Sequence, residues 1–258
     1  MSNENLVENA QWDAVWHRKV SPPLPLRPWR SYVCWRFHKL FSKFIKPGDF
    51  VLEVGCGGSR FLPYFAQRLG AKVAGFDYTE AGVALSKASL AAAHVSGDIR
   101  LGDLFGDPCF PKDSFDVVWS AGFIEHFADA SDVIARMAYY LRPGGLLITE
   151  VPNMGGIVGR LQEWIDRALY AQHFVITPEK MDAAHAAAGL ASVDPAGYFG
   201  TLELGVIGYG NKVHPRILPW LNRSLNLAET VFLSPLWLFR ASLETEAISP
   251  LVIGVYRK

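Results

Sequence analysis

Three groups of residues carry side chains or backbone suited to chemistry. The first is Val51-Leu-Glu-Val-Gly-Cys-Gly-Gly-Ser-Arg60, an apolar run that ends in a glycine-rich bend. Glycines there let the backbone pass close to a ligand where a Cβ would collide with it. The second is Asp77, the acid that closes Ala71-Lys-Val-Ala-Gly-Phe-Asp77. A carboxylate at a strand tip can accept hydrogen bonds from both hydroxyls of a ribose. The third runs from Phe115-Asp-Val-Val-Trp-Ser-Ala-Gly122 into Phe123-Ile-Glu-His126 and ends on an imidazole that titrates near neutrality. Together they describe the front of a nucleotide-type cofactor site with a proton acceptor beside it.

The glycine loop does not make a dinucleotide fingerprint. Gly55-x-Gly57 is present, but Arg60 stands where the third glycine is required, which disfavours a nicotinamide cofactor. Glu53, two residues before Gly55, suits a cationic ligand or a loop support better than a pyrophosphate. Asp103, in Gly102-Asp103-Leu104, can accept from an adenine amino group; Asp98 competes for that role with poorer spacing. The alternative for Asp77 and Asp103 is that both are solvated turn acids.

The elements that must hold these groups alternate. Strands are expected at Phe50–Val54, Lys72–Phe76, Asp98–Leu101, Phe115–Trp119 and Leu146–Thr149, with helices at Ser59–Leu69, from Thr79 to about Ala93, and at Asp129–Leu141. Pro and Gly of Arg142-Pro-Gly-Gly145 stop that last helix. A helix within Gly155–Tyr170, another capped by Thr177-Pro-Glu, a strand within Ala191–Phe199 and a closing strand Leu251–Tyr256 complete the pattern. Such alternation predicts an α/β fold with a mostly parallel sheet covered on both faces.

Residues 1–47 read as an aromatic, helical N-terminal cap in two parts, separated by Pro22-Pro-Leu-Pro25, with residues 48–258 as the main domain. Gln11-Trp-Asp-Ala-Val-Trp16 suits either a lid over the cofactor or a packed aromatic staple. Residues of about 203–248 are a lid insertion before the last strand. There Leu221, Leu225, Ala228, Phe232 and Leu236 recur at helical spacing, Pro235 kinks the end, and Arg216, Arg223 and Arg240 flank it. The stripe reads as a cap, as a wall of a hydrophobic acceptor pocket, or as a membrane-surface element.

In this order the motifs Val51–Gly58, Gly75-Phe-Asp77, Gly102-Asp-Leu104, Ser114-Phe-Asp-Val-Val118, Ile124-Glu-His126 and Leu141-Arg-Pro-Gly-Gly145 resemble the class I S-adenosylmethionine-dependent methyltransferases, in the small-molecule branch that includes quinone-biosynthesis enzymes. The resemblance implies a Rossmann-like fold with a seven-stranded sheet, and S-adenosyl-L-methionine as cofactor with S-adenosyl-L-homocysteine as product. It places Gly55, Cys56 and Gly57 along the methionine portion, Asp77 on the ribose and Tyr78 beside the adenine. Asp103 and Leu104 would meet the adenine, and Ser120, Ala121 and Gly122 would lie near the reacting methyl. His126 is the candidate catalytic base and Glu125 its buttress, although in the family the pair often supports the loop. Some relatives hold a divalent metal with an acid three residues before this pair; Gly122 stands there, so no metal is expected. His173 and His185 read as ordinary surface or packed histidines.

Composition narrows the function further. Half the residues are hydrophobic, 19% are charged, and Lys+Arg and Asp+Glu balance at 25 each, which argues against a nucleic-acid partner. Three scattered cysteines favour a reducing, cytoplasmic setting, and neither a secretory signal nor a membrane span is evident. The expectation is methyl transfer to an oxygen or nitrogen of a small, rather apolar metabolite in secondary metabolism. Two alternatives stand beside it: a quinone or lipid head group approached at a membrane surface through peripheral contact, and a non-methylating cofactor-binding protein of the same fold.

Overall fold

A computed structural model describes residues 5–7, 9–17, 22–201, 220, 224, 227, 231 and 243–258. Two helices, α1 (Asn9–His17) and α2 (Tyr32–Phe44), precede the alternating part. There follow β1 (Phe50–Val54), α3 (Phe61–Leu69), β2 (Lys72–Asp77), α4 (Glu80–Ala92), β3 (Asp98–Leu101) and β4 (Phe115–Ala121). A 3-10 turn over Ile124–His126 leads to α5 (Ala130–Tyr140), β5 (Leu141–Pro152), α6 (Ile157–Ile165), α7 (Arg167–Tyr170), α8 (Pro178–Ala187), β6 (Ala191–Phe199) and β7 (Leu251–Arg257).

The seven strands are ordered β3-β2-β1-β4-β5-β7-β6. The first five run parallel, and β7 pairs antiparallel with both β5 and β6. After β3 the chain returns past β1 to place β4 on its other side, so the strand order reverses between β1 and β4. Ligands of open parallel sheets collect at the strand ends beside such a reversal.

Successive side chains of a strand point to opposite faces, and the core divides accordingly. Val51, Trp119, Ile148 and Val255 join one cluster; Leu52, Val118, Leu147, Val252 and Tyr256 join the other. Phe37 and Phe41 of α2 belong to the first cluster, so this helix shares the main core. Phe41 meets Trp119 edge-on at 5.0 Å between ring centroids and Phe65 at 4.8 Å, the geometry that ring quadrupoles favour.

Several element boundaries differ from the sequence expectation. The strand expected at Leu146–Thr149 extends over Leu141–Pro152. The helix expected to start at Ser59 starts at Phe61, with Arg60 at its N-cap position, and the preceding Ser59 hydroxyl accepts from the Phe61 and Leu62 amides. The segment Gly155–Tyr170 holds two helices, divided at Asp166, whose carboxylate accepts from Leu169 N and caps the second.

Of the predicted lid, Trp220, Ser224, Leu227 and Val231 are described; they are helical and exposed. Leu221, Leu225, Ala228, Phe232, Leu236, Pro235, Arg216, Arg223 and Arg240 lie outside the described residues. Among the described residues no helix is long and apolar enough to cross a membrane.

Candidate active site

A cleft of about 440 Å³ opens at the carboxyl ends of β1, β2 and β4. Its floor is the bend after β1. Gly55 N and Cys56 N both donate to Phe76 O at 3.0 Å, and Gly57 N donates to Asp77 Oδ2 at 2.8 Å. The bend is thereby laced to the tip of β2. Asp77 Oδ1 accepts from Thr79 N and Thr79 Oγ1, so the carboxylate also shapes the start of α4. Each carboxylate oxygen has a second lone pair, which leaves acceptor capacity facing the cleft. Burial pushes the Asp77 carboxyl above its ordinary range, against the lowering effect of these hydrogen bonds.

Glu53 lies beneath the bend. Ser59 Oγ donates to its Oε2 at 2.5 Å, the same hydroxyl that accepts from the first amides of α3. Burial raises the Glu53 carboxyl to about 8, with the Ser59 hydrogen bond opposing and Asp77 adding to the rise. A cation in the cleft would draw the proton off, because an opposite charge nearby favours the ionised carboxylate.

The roof is α1. Trp12 and Trp16 stack on each other, and the Trp12 ring meets His126 edge-on at 5.5 Å. Trp16 covers the glycines: a Cβ on Gly57 would lie 2.5 Å from its indole and 2.7 Å from Asp77 Oδ2. Any side chain at Gly57 would therefore close the cleft against its roof. Leu6 N donates to His126 O, which ties the segment before α1 to the turn after β4. Phe105, Phe123 and Phe127 form an aromatic end wall, with the Phe127 ring in contact with the other two.

Of the residues singled out from the sequence, Glu53, Gly55, Gly57, Asp77, Tyr78, Asp103, Leu104, Ala121, Gly122 and His126 line this cleft. Cys56 and Ser120 do not. The Cys56 sulfur packs under β2, where a Cβ on Gly75 would sit 2.8 Å from it, and Ser120 is fully buried within the sheet. Phe61, Phe105, Phe123 and Phe127 line the cleft without having been singled out; their apolar character marks them equally as core.

His126 is nearly buried, and its Nδ1 lies 2.7 Å from Gln172 O. A carbonyl can only accept, so Nδ1 carries the proton and Nε2 presents a lone pair. Burial lowers the His126 pKa, with the carbonyl contacts opposing; the ring is neutral near pH 7. Nε2 lies 3.8 Å from Glu125 Oε1. His185, by contrast, is packed away between Met181 O and Thr149 Oγ1 and stacks on Tyr256. The sequence reading found no metal-ligand spacing, yet the fold brings His173 to Glu125 and His126, with one ligand atom from each within 4.8 Å of the others.

Residues 52–149 match the family model described as a methyltransferase domain. In sequence the chain resembles the class I S-adenosylmethionine-dependent methyltransferases. The ubiquinone biosynthesis O-methyltransferase of Bradyrhizobium sp. (strain ORS 278) is 28% identical over 168 residues, covering 62% of this chain and 65% of that protein. The namesake from Mesorhizobium japonicum is 29% identical over 155 residues, 57% of this chain and 61% of that one. The chain thus spans somewhat under two thirds of these relatives' length. Among solved structures, a SAM-dependent methyltransferase from Archaeoglobus fulgidus superposes with a TM-score of 0.56 at 16% identity, over 85% of this chain and 90% of that one. The [4+2]-cyclase SpnF does so with 0.60 at 15% identity, over 96% and 94%. At such identities the likeness is one of fold.

The cleft fits S-adenosylmethionine. The buried Asp77 carboxylate suits a ribose diol, the side-chain-free Gly57 suits close backbone approach, and Glu53 suits an ammonium group. When bound, S-adenosylmethionine supplies a methyl group already activated by a positive sulfur.

Proposed function

We propose that this methyltransferase methylates a hydroxyl oxygen of a small, rather apolar metabolite, in cytoplasmic secondary metabolism. The observation that carries the reading is the neutral, nearly buried His126 at the aromatic end of the cleft, with Nδ1 committed to Gln172 O and Nε2 holding a lone pair. A neutral amine attacks with its own lone pair and needs no base beforehand. A hydroxyl gains nucleophilicity by losing its proton during attack, and an imidazole with its lone pair free serves that step.

The remaining residues position and exclude. Phe105, Phe123, Phe127 and Trp12 make an apolar wall suited to an aromatic acceptor. Trp16 and α1 close the cleft over the glycine bend and keep water from the reacting groups. Placement and water exclusion provide most of what this chemistry requires. The balanced charge supports a small molecule over a nucleic acid, and the three free cysteines suit a reducing compartment.

The test is incubation with methyl-labelled S-adenosylmethionine, a panel of phenols, catechols and hydroxyquinones, and a host metabolite extract, read by mass spectrometry. Label on oxygen of an apolar acceptor is expected. Label confined to nitrogen or carbon, or cofactor binding with no labelled product in any mixture, would overturn the reading.

A further inference from the structure

We infer that Arg60 is the carboxylate-binding residue of the cleft. Among the described residues that line it, Arg60 is the one lysine or arginine, set beside the acids Glu53, Asp77 and Asp103. His126 is neutral, so the guanidinium supplies the positive charge there. Arg60 stands where a dinucleotide fingerprint requires glycine. In place of bare backbone for a pyrophosphate, the chain offers a planar fork that matches a carboxylate through two parallel hydrogen bonds.

The guanidinium is held in place yet short of acceptors. Its Nε is buried with no hydrogen-bond partner. Nη2 donates to Cys34 Sγ at 3.4 Å, and a thiol sulfur accepts weakly. Among the described residues no carboxylate comes within 4.0 Å of it. A guanidinium keeps its charge, and burying a charge is costly unless it is paired. The surroundings fix the residue: Leu26 N donates to Arg60 O at 3.2 Å, and the guanidinium carbon lies 5.9 Å from the Phe61 ring centroid. Arg60 also occupies the N-cap position of α3, whose positive end adds to the same potential.

The carboxylate has two sources. One is the amino-acid end of the cofactor, where ammonium and carboxylate share one carbon. Ser59 donates to Glu53 and directly precedes Arg60, so an acid and a base flank one short stretch of the cleft. That arrangement suits a zwitterion. The other source is an acidic group on the acceptor. The proposal rests on the cofactor assignment and is independent of which acceptor atom is methylated.

The test is calorimetry on the full chain in two arms. In the first, without acceptor, the protein is titrated with S-adenosylhomocysteine and with its counterpart lacking only the α-carboxylate. Wild type should prefer the intact ligand about 10- to 100-fold, and equally so at pH 6 and pH 7, because neither the guanidinium nor the α-carboxyl titrates there. Arg60→Met should bind both ligands alike with unchanged circular dichroism, and Arg60→Lys should fall between. Arg68→Met, exposed on the same helix, should keep the full preference. In the second arm, protein saturated with S-adenosylhomocysteine is titrated with salicylate and with phenol. A preference for salicylate of at least about tenfold, lost in Arg60→Met, would place the carboxylate on the acceptor. No preference in either arm, or a preference that Arg60→Met keeps or Arg68→Met loses, would overturn the site. Absence of any binding of S-adenosylhomocysteine would instead strike the cofactor assignment, and the site with it.

Discussion

Cofactor binding should release a proton, and Glu53 should be its source. Burial raises this carboxyl to about 8, and the Ser59 hydroxyl that donates to it does not offset the desolvation. At pH 7 the ligand-free protein then holds Glu53 about 90% protonated. A ligand whose ammonium group faces Glu53 binds the ionised form, so apparent affinity is reduced by the factor 1 + 10^(8 − pH). That factor is about 100 at pH 6 and about 11 at pH 7, a roughly ninefold tightening across one unit. The sign follows from the raised pKa: affinity increases with pH until Glu53 is ionised without help. Staying at or below pH 7 keeps the α-amino group of the ligand protonated, since such groups titrate at about 7.7–8.0. Calorimetry in two buffers of different ionisation enthalpy should count about 0.9 proton released at pH 7. Glu53→Gln keeps an acceptor for Ser59 and should release none, with affinity flat between pH 6 and 7. A wild-type count near zero, or an unchanged count in Glu53→Gln, would refute the reasoning.

Other outcomes follow from contacts already described. Gly57→Ala places a methyl against the Trp16 indole and Asp77 Oδ2; cofactor affinity should fall at least about tenfold, or about 1.4 kcal/mol, with circular dichroism unchanged, and wild-type affinity would contradict the close approach. His126→Ala should lower kcat for a hydroxyl acceptor about 100- to 10,000-fold with little change in cofactor affinity, and full turnover would remove it from the chemistry. Phe41→Ala, at a fully buried ring packed on Trp119 and Phe65, should cost about 3–5 kcal/mol in denaturant unfolding; a loss below about 1 kcal/mol would show that α2 does not share the core.

The parts legible in the sequence are those whose signal is local. The β1 run, its glycine bend and Asp77 announce themselves because strand, bend and acid follow one another within a single crossover. Side-chain direction was less accessible: Cys56 and Ser120 lie beside cleft residues in sequence, but alternation and the turn of the bend send them inward. The break at Asp166 had a signal, an acid able to cap a helix, hidden within an apolar pattern that reads equally well as one helix. His173 had none. Forty-odd residues separate it from His126, and it arrives through backbone contacts of its neighbours, which no side-chain pattern encodes.

The sheet order bears on the stretch between β6 and β7. β6 pairs with β7 alone, and β7 pairs with β5 on its other edge. Until β7 is in place, β6 has no strand to join, and the loop between them must close first, at an entropic cost that grows slowly with length. Once closed, both ends of residues 200–250 are anchored in adjacent strands. Changes of length or sequence within that span are therefore buffered from the donor cleft by two hydrogen-bonded ladders.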